Sequence, residues 1–425
     1  MPEKTKKTLL HSWHTACGAN MADFGGYHMP LWYPAGVKKE HLSVLTNAGI
    51  FDTSHMAAIR IEGPGAFDLL QLCFTKNLAA CVGKKQSPLK PGKCAYGAFL
   101  KDNGEVIDDA IVYQLSGKLY MVVVNAGMGG RVTRHLKVRS GPRRVELTDL
   151  TDRLGKMDIQ GPAAAKILGK VLANPEKTLQ GMSYFSFKGE VGKTTVFGSQ
   201  VRLVGGIPLL LSRTGYTGEF GFEIFMAPEH IVKAWELIIQ SGRDFGLIPC
   251  GLAARDSLRT GAVLPLSHQD IGSWPFVNHP WPFALPLNPE GTGFTKKFIG
   301  DEALLNIKEP TYTYPFVGYD LRKVSVSAPA VVLDPEGMKI GDVLTCVTDM
   351  GIGRHNDRIF SIASPDKPEN FHPGGLSCGF VKVKSKLFPG QIVYLRDTIR
   401  KIKAIIVEDI RPDRTARRSI NEMMA

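Results

Sequence analysis

The chain reads GEVIDDAIVY over residues 104–113, a stretch that places two adjacent carboxylates where a turn passes into a strand. Residues 101–104 are typical of the turn, and residues 110–113 of the strand that follows it. Because neighbouring side chains on a strand point to opposite faces, we expect Asp108 and Asp109 to differ in role. One would face water and the other would enter an apolar pocket, where a carboxylate can hold or relay a proton near neutral pH. The alternative is a pair of solvated turn residues.

Length and composition indicate a globular protein without indicating its chemistry. The chain has 425 residues, of which 44% are hydrophobic and 22% are charged, and this length is typical of two or three domains. No apolar run reaches the roughly 18 to 20 residues that span a bilayer. The basic N-terminus lacks the apolar segment of a secretory signal. The sequence therefore predicts a cytoplasmic protein that does not enter a membrane.

The cysteines and the charge exclude several classes of site. Seven scattered cysteines with no Cys-x-x-Cys pair are most simply reduced thiols, so we expect neither a disulfide framework nor a metal site. The net charge of +12 is spread along the chain without an aromatic-interleaved basic motif, so we expect no nucleic-acid partner. Such a charge favours an anionic ligand or an acidic protein partner.

The pattern of residue types along the chain changes near residues 305–315. Before that point strand-like and helical segments alternate, for example a run of β-formers at residues 118–124 and an amphipathic pattern at residues 228–242. After it, short strands separated by Gly and Pro predict a small β-barrel.

Several separated motifs occur in a specific order along the chain. They are GANMADFGGYHMPLWY at residues 18–33, Glu40-His41, GIFDTSHM at 49–56, the Asp108-Asp109 strand, VVNA at 123–126, GYTGEFGFE at 215–223 and CGLAARDSLR at 250–259. This ordered set resembles the aminomethyltransferase family, which comprises the T-protein of the glycine cleavage system and its tetrahydrofolate-dependent relatives. The resemblance is strong over residues 8–305 and holds only in outline beyond them.

The resemblance implies an α+β fold with three lobes around a central folate cavity. Residues 1–305 would form the folate-binding region, built of two interleaved α+β lobes, and residues 315–425 a C-terminal β-barrel domain. The implied co-substrate is tetrahydrofolate. In the T-protein reaction an aminomethyl group on the lipoyl arm of a partner H-protein meets the pterin, ammonia leaves and 5,10-methylenetetrahydrofolate forms.

The resemblance also implies roles for individual residues. Asp109 would be the central acid/base, and Asp108 its structural partner on the other face of the strand. Matching motifs place the cofactor-binding residues at Met56, Tyr96, Tyr113, Asn125, Tyr216, Glu223 and Arg255.

The chemistry of these side chains fits a pterin pocket. The Asn125 amide offers a donor and acceptors, and an ionised Glu223 could accept paired donors from the aminopyrimidine edge. Arg255 could pair with Glu223 or with a folate carboxylate. The alternative for Tyr96 and Tyr113 is that they are half-buried strand residues, which is common for tyrosine.

The sequence departs from the family pattern on one side. The usual Leu-Glu-Ala-Gly continuation reads Thr-Gly-Ala-Val over residues 260–263, so Gly261 replaces the acid. An ungapped alignment puts Leu287 where a pocket tryptophan is expected. The usual Thr-Ser-Gly turn of the C-terminal domain is absent from residues 347–353. We expect these changes to lie on the side that meets the one-carbon donor or the folate tail.

Three functions fit this pattern. The first is the glycine-cleavage aminomethyltransferase, with H-protein as its partner. The second is a tetrahydrofolate-dependent demethylase that takes a methyl group from a small methylated substrate. The third is a non-catalytic folate-binding regulatory protein. The presence of Asp109 argues against the third, and family membership favours the first.

Overall fold

The structure is a computed structural model that describes residues 5–191, 194–196, 200–327 and 329–425. Within these ranges the strands, in chain order, are β1 (Lys6–Lys7), β2 (Asn20–Phe24), β3 (Tyr27–Trp32), β4 (Ala48–Asp52), β5 (Ala57–Glu62), β6 (Cys94–Leu100), β7 (Val106–Ser116), β8 (Leu119–Val124), β9 (Glu146–Asp149), β10 (Gly155–Gln160), β11 (Phe187–Val191), β12 (Thr194–Val196), β13 (Leu210–Ser212), β14 (Gly221–Met226), β15 (Leu247–Pro249), β16 (Tyr312–Gly318), β17 (Val331–Leu333), β18 (Lys339–Asp349), β19 (Ile352–His355), β20 (Arg358–Ser361), β21 (Leu376–Val383), β22 (Ile392–Arg396) and β23 (Lys401–Ile406).

The α-helices are mostly short. They are α1 (His11–Ala16), α2 (Val37–Thr46), α3 (Ala66–Cys73), α4 (Gly129–Ser140), α5 (Ala164–Val171), α6 (Pro175–Leu179), α7 (Ile231–Gly242), α8 (Leu252–Gly261), α9 (Asp301–Leu305) and α10 (Ile420–Met424). No helix in the described part of the chain has the length and apolar character needed to cross a membrane.

A five-stranded antiparallel sheet in the order β6-β7-β8-β5-β9 carries the aspartate pair. Strand β7 begins at Val106, earlier than the sequence predicts, so Asp108 and Asp109 lie inside the strand. Asp109 is paired with Ala98 of β6, and the Asp108 side chain is fully buried while that of Asp109 is 9% exposed. The expectation that one aspartate faces water is therefore wrong, as is the alternative of two solvated turn residues, because both residues lie within a central strand of the sheet and are buried.

A seven-stranded sheet in the order β12-β11-β13-β14-β10-β4-β15 lies beside the first. The chain enters it at β4, leaves to build the five-stranded sheet, and returns at β10. Helix α7 packs on this sheet through residues spaced three or four apart, as the amphipathic pattern at 228–242 predicts. Its buried residues include Ile231, Ala234, Trp235 and Ile238, and they join a core that also contains side chains of α5 and α10.

Strands β16-β21-β18-β17-β22-β23 form a closed barrel. Its core is filled by alternating apolar side chains such as Val393 and Leu395 of β22. The predicted α+β fold with a C-terminal β-barrel is confirmed.

After β23 the chain leaves the barrel and returns to the N-terminal part. Residues 407–425 run back across the molecule and end in α10, which begins with a capping box between Ser419 and Glu422. Ile420 and Met423 of this helix belong to the core of the seven-stranded sheet. The C-terminal segment therefore ties the barrel to that sheet.

Candidate active site

A cavity of about 1380 Å³ is lined by residues of both sheets, of helix α8, of the segment 262–269 and of the C-terminal segment. Residues far apart in sequence meet there because the two sheets are built from interleaved parts of the chain. Of the predicted site residues, the cavity brings together Met56, Tyr96, Asp109, Asn125, Tyr216, Glu223 and Arg255.

Asp109 lies on the cavity wall and is held by two hydrogen bonds. The Tyr96 hydroxyl donates to its Oδ2 at 2.8 Å, and the Asn125 amide Nδ2 donates to its Oδ1 at 2.7 Å. Strand pairing explains the arrangement, since Ala110 is paired with Val124 and Asn125 follows directly. Burial raises the pKa of Asp109, and the bonds from Tyr96 and Asn125 oppose that rise.

Asp108 points away from the cavity and into the protein, as the alternation along a strand requires. Asn125 donates to it twice, from its backbone nitrogen to Oδ2 at 2.9 Å and from Nδ2 to Oδ1 at 2.8 Å. The Ser267 hydroxyl also donates to Oδ1, at 2.7 Å. Burial, with a further contribution from Asp109, raises the pKa of Asp108 to about 7. The two carboxylates are thus linked through one amide group.

Glu223 and Arg255 belong to one buried chain of ion pairs, although they do not contact each other. Lys156 Nζ lies 2.6 Å from Glu223 Oε1 and 2.7 Å from Asp158 Oδ1. Arg255 Nη1 lies 2.7 Å from Asp158 Oδ2. Of the two partners considered for Arg255, Glu223 is not in contact with it, because Asp158 and Lys156 lie between them. Burial alone would raise the pKa of Asp158, but Lys156 and Arg255 outweigh it and the pKa is lowered.

Tyr113 does not line the cavity, contrary to the expectation from the resemblance. Its ring is fully buried against Phe187 and Phe225. Its hydroxyl donates to Glu223 Oε2 at 3.2 Å, and the Thr214 hydroxyl donates to the same oxygen. Tyr113 therefore holds the Glu223 carboxylate by a hydrogen bond from the side away from the cavity. It lies deeper than Glu223 in the interface between the two sheets.

Tyr216 and Arg255 form a second part of the wall. The Tyr216 hydroxyl donates to the carbonyl of Pro265, and the Arg255 guanidinium lies 5.0 Å from the centre of the Tyr216 ring. At that distance the cation and the ring attract each other. These contacts fix the aromatic ring against the cavity.

Leu287 is not a cavity residue, so the prediction from an ungapped alignment is wrong. It forms a bridge with Phe294 and packs on the core beneath the barrel. Phe283 lines the cavity instead, with its ring centre 5.7 Å from that of Tyr96. Phe283 belongs to a short 3₁₀-helix, Pro282–Ala284.

At residue 261, where the family pattern has an acid, the structure leaves no space for a side chain. A Cβ on Gly261 would lie 1.9 Å from Asp349 Oδ2 and 2.5 Å from Arg411 Nη1. An acid from the barrel, paired with Arg411, thus occupies the space beside helix α8. Two residues further on, Val263 has a φ of +55°, a conformation that a β-branched residue rarely adopts.

The site includes residues that the sequence analysis missed. Lys156 could have been found, because Lys156 and Asp158 are two apart on one strand and so share a face. Ser267 and His268 gave no signal, since only the folded segment 262–269 brings them to Asp108. Among the described residues no group of His, Cys, Asp and Glu side chains is arranged to hold a metal ion.

Comparison with known proteins agrees with this geometry. The family described as GCVT N-terminal domain matches residues 10–274. An aminomethyltransferase of Caldanaerobacter subterraneus subsp. tengcongensis is 35% identical over 348 residues, which cover 81% of this chain and 84% of that protein. An aminomethyltransferase of Streptomyces coelicolor is 37% identical over 360 residues, covering 82% and 87%.

A solved structure of an aminomethyltransferase is also similar to this chain. The crystal structure of the glycine cleavage system aminomethyltransferase T from Bartonella henselae is similar with a TM-score of 0.72 and 27% identity, covering 98% of this chain and 99% of that one. The fold, the ordered motifs and these relatives lead to one conclusion. The chain is an enzyme that belongs to the aminomethyltransferase family.

Proposed function

We propose that this chain transfers a one-carbon unit from an aminomethyl group, carried on the lipoyl arm of an H-protein, to tetrahydrofolate. Ammonia is released and 5,10-methylenetetrahydrofolate forms. The observation that carries the proposal is the position of Asp109 on the wall of a large cavity, held by Tyr96 and Asn125. We also propose residues 1–305 as the folate-binding region and residues 315–425 as a C-terminal domain. Within this domain the barrel strands end at Ile406, and residues 407–425 return to the cavity wall and to the seven-stranded sheet.

Asp109 is proposed as the catalytic acid/base. The reacting nitrogen of the pterin must lose a proton as its bond to carbon forms, and a fixed carboxylate can accept or steer that proton. Tyr96 and Asn125 restrict the carboxylate to one orientation. Its slight exposure, on the cavity side, leaves room for a substrate nitrogen.

The cavity has the size and lining for two reactants. Its volume of about 1380 Å³ exceeds the roughly 300–1000 Å³ of an ordinary small-molecule site. Tyr96, Tyr216 and Phe283 offer aromatic surface to a pterin. Met56 and the amide of Asn125 add an apolar and a polar contact. Glu223 and Arg255 are proposed to bind polar groups of the folate, although each already has a partner in the buried chain of ion pairs.

The proposed partner is an acidic carrier protein, which the net charge of +12 would attract. The proposed compartment is the cytoplasm. All seven cysteines carry free thiols, which agrees with a reducing compartment.

The test is an assay of purified protein with tetrahydrofolate and H-protein loaded with the aminomethyl group. Ammonia and methylenetetrahydrofolate formed in equal amounts would support the proposal. Turnover only with a methylated small molecule would favour a demethylase. Folate binding without any turnover would favour a regulatory protein. The Asp109→Ala variant is the control, since any product that depends on the site must disappear with it.

A further inference from the structure

We propose that Asp108 and Asp109 hold one proton between them, and that Asp108 is the positioning partner that stores it. This inference rests on the proposed function for its role in turnover, but its structural basis is independent of the substrate. It gives Asp108 a role in proton handling in addition to its structural role in the strand.

The first argument is the geometry of the pair. Asn125 Nδ2 donates to one oxygen of each carboxylate, at 2.8 Å for Asp108 and 2.7 Å for Asp109. The two oxygens are therefore no farther apart than the sum of these distances. Both side chains are at least nine-tenths buried. Two negative charges so close together in a buried place repel each other strongly, and a shared proton removes that repulsion.

The second argument is the lack of a permanent cation. Two other buried aspartates are neutralised by Lys or Arg, Asp158 by Lys156 and Arg255 and Asp349 by Arg411, whereas buried Asp52 is paired with His14. In the described part of the chain, no Lys or Arg nitrogen lies within 4 Å of Asp108 or Asp109. The nearest ionisable nitrogen is His268 Nε2, 3.9 Å from Asp108 Oδ1.

His268 does not replace the missing cation at neutral pH. Burial, together with the positive charges of Arg131 and Lys101, lowers its pKa below the ordinary value of a histidine, so the neutral ring predominates at pH 7. The residue has a φ of +63°, and its side chain lies on the cavity wall with 43% exposure. The phenols of Tyr96 and Tyr216, which also face the pair, are neutral because burial raises the pKa of both.

A shared proton suits the proposed reaction. Two N–H protons leave the folate nitrogens as both bonds to the methylene carbon form. One proton is required by the departing ammonia and one by the lipoyl sulfur, as the C–N and C–S bonds of the donor break. A carboxylate and a carboxylic acid side by side can accept one proton and supply another, whereas a single ionised aspartate can only accept.

Infrared titration of the protein without substrate tests the shared proton. Between pH 6 and pH 8 the carboxylic acid C=O band should titrate with a midpoint near 7. Burial also raises the pKa of Glu40 and Asp270, so the band is assigned by its loss in Asp108→Asn. The Asp342→Asn variant changes an exposed aspartate of the barrel and should leave the band unchanged.

Two variants should move the midpoint in opposite directions. Ser267→Ala removes a hydrogen bond to the ionised carboxylate and should raise the midpoint; Ser43→Ala, on helix α2, is its matched control. His268→Lys brings a permanent cation to Asp108 and should lower it. His268→Asn, which tolerates the positive φ, should leave it unchanged. These variants keep the test valid if Asp108→Asn fails to fold.

Two results would overturn the inference: no band that depends on Asp108, or a midpoint that neither Ser267→Ala nor His268→Lys moves. In the aminomethyl-transfer assay, the basic limb of the kcat/KM profile should follow the infrared midpoint of each variant. A limb that stays fixed while the midpoint moves would overturn the catalytic role of the shared proton. An inactive wild-type protein would refute the proposed function alone, since the infrared midpoints do not need turnover.

Discussion

The Asp349 carboxylate of the barrel lies directly against Gly261 of helix α8, where Oδ2 would be 1.9 Å from a Cβ at that residue. His41 Nε2 lies 2.9 Å from the other oxygen, and Arg411 binds the Gly261 carbonyl through its backbone nitrogen. Helix α8 carries Arg255 on its cavity side. The barrel therefore helps to position the cavity wall through one ion pair at the end of this helix.

Gly261→Ala should destabilise the protein by about 2–4 kcal/mol, because the added methyl group must displace Asp349 or Arg411 from a buried ion pair. Urea unfolding measures the loss. Gly130→Ala is the matched control: it lies in helix α4, nothing lies within 4 Å of its Cβ position, and alanine should stabilise the helix by up to about 1 kcal/mol. Equal stability of the two variants would contradict the packing described at Gly261.

Stability should fall in acid through Asp349. Burial alone would raise the pKa of this carboxyl, but Arg411 and His41 outweigh it and hold the pKa well below its usual range. Because the folded-state pKa is depressed, the stabilisation is present above the unfolded pKa near 3.9 and is lost as the pH falls below it. Thermal unfolding from pH 6 to pH 3 should show a steeper decline for the wild type than for Asp349→Asn. Parallel curves would exclude this carboxyl as a cause.

Asp109→Asn should lower kcat for one-carbon transfer by about 10²–10⁴-fold, the usual contribution of a general acid or base. Folate binding, measured by fluorescence or calorimetry, should persist because the amide fills the same space. Asp366→Asn, in an exposed loop of the C-terminal part, is the control and should retain full activity. Wild-type turnover in Asp109→Asn would remove Asp109 from its proposed role.

Lys156→Met should cost about 3–5 kcal/mol, because it leaves the buried carboxylates of Glu223 and Asp158 without their shared cation. The double variant Lys156→Met/Glu223→Gln should recover part of that loss, since it removes the charge of Glu223, while Asp158 keeps its ion pair with Arg255. Chemical denaturation of the two variants and the wild type measures both effects. No recovery in the double variant would show that the loss comes from packing of the lysine stem.

Phe283→Ala should raise the KM for tetrahydrofolate by about threefold to tenfold, since an aromatic pair contributes about 0.5–1.5 kcal/mol. Leu287→Ala removes an aliphatic side chain four residues away that does not reach the cavity, so its KM should be unchanged. Steady-state kinetics at saturating donor compare them. A raised KM in Leu287→Ala with an unchanged KM in Phe283→Ala would show that residue 287, and not residue 283, contacts the folate.

The parts of the site that follow from local strand pairing were predictable from the sequence. Strands β6, β7 and β8 are consecutive and antiparallel, so the motifs around Tyr96, Asp109 and Asn125 meet across adjacent strands. The contact of Ser267 with Asp108 was not predictable, because Ser267 reaches it from another part of the fold. Lys156 shares a strand face with Asp158, but its contact with Glu223 depends on the pairing of β10 with β14. The prediction for Leu287 came from an ungapped alignment, which carries no information on which side chains of residues 280–287 face the cavity.

The return of residues 407–425 to the N-terminal part has a consequence for the enclosure of the cavity. Glu408, Arg414 and Arg417 line the cavity, and α10 packs into the core of the seven-stranded sheet. Without residues 407–425 both sheets and the barrel would keep their strands, but the chamber would lose part of its wall and the seven-stranded sheet part of its core. A substitution in this segment can therefore alter the cavity although it lies far from Asp109 in sequence.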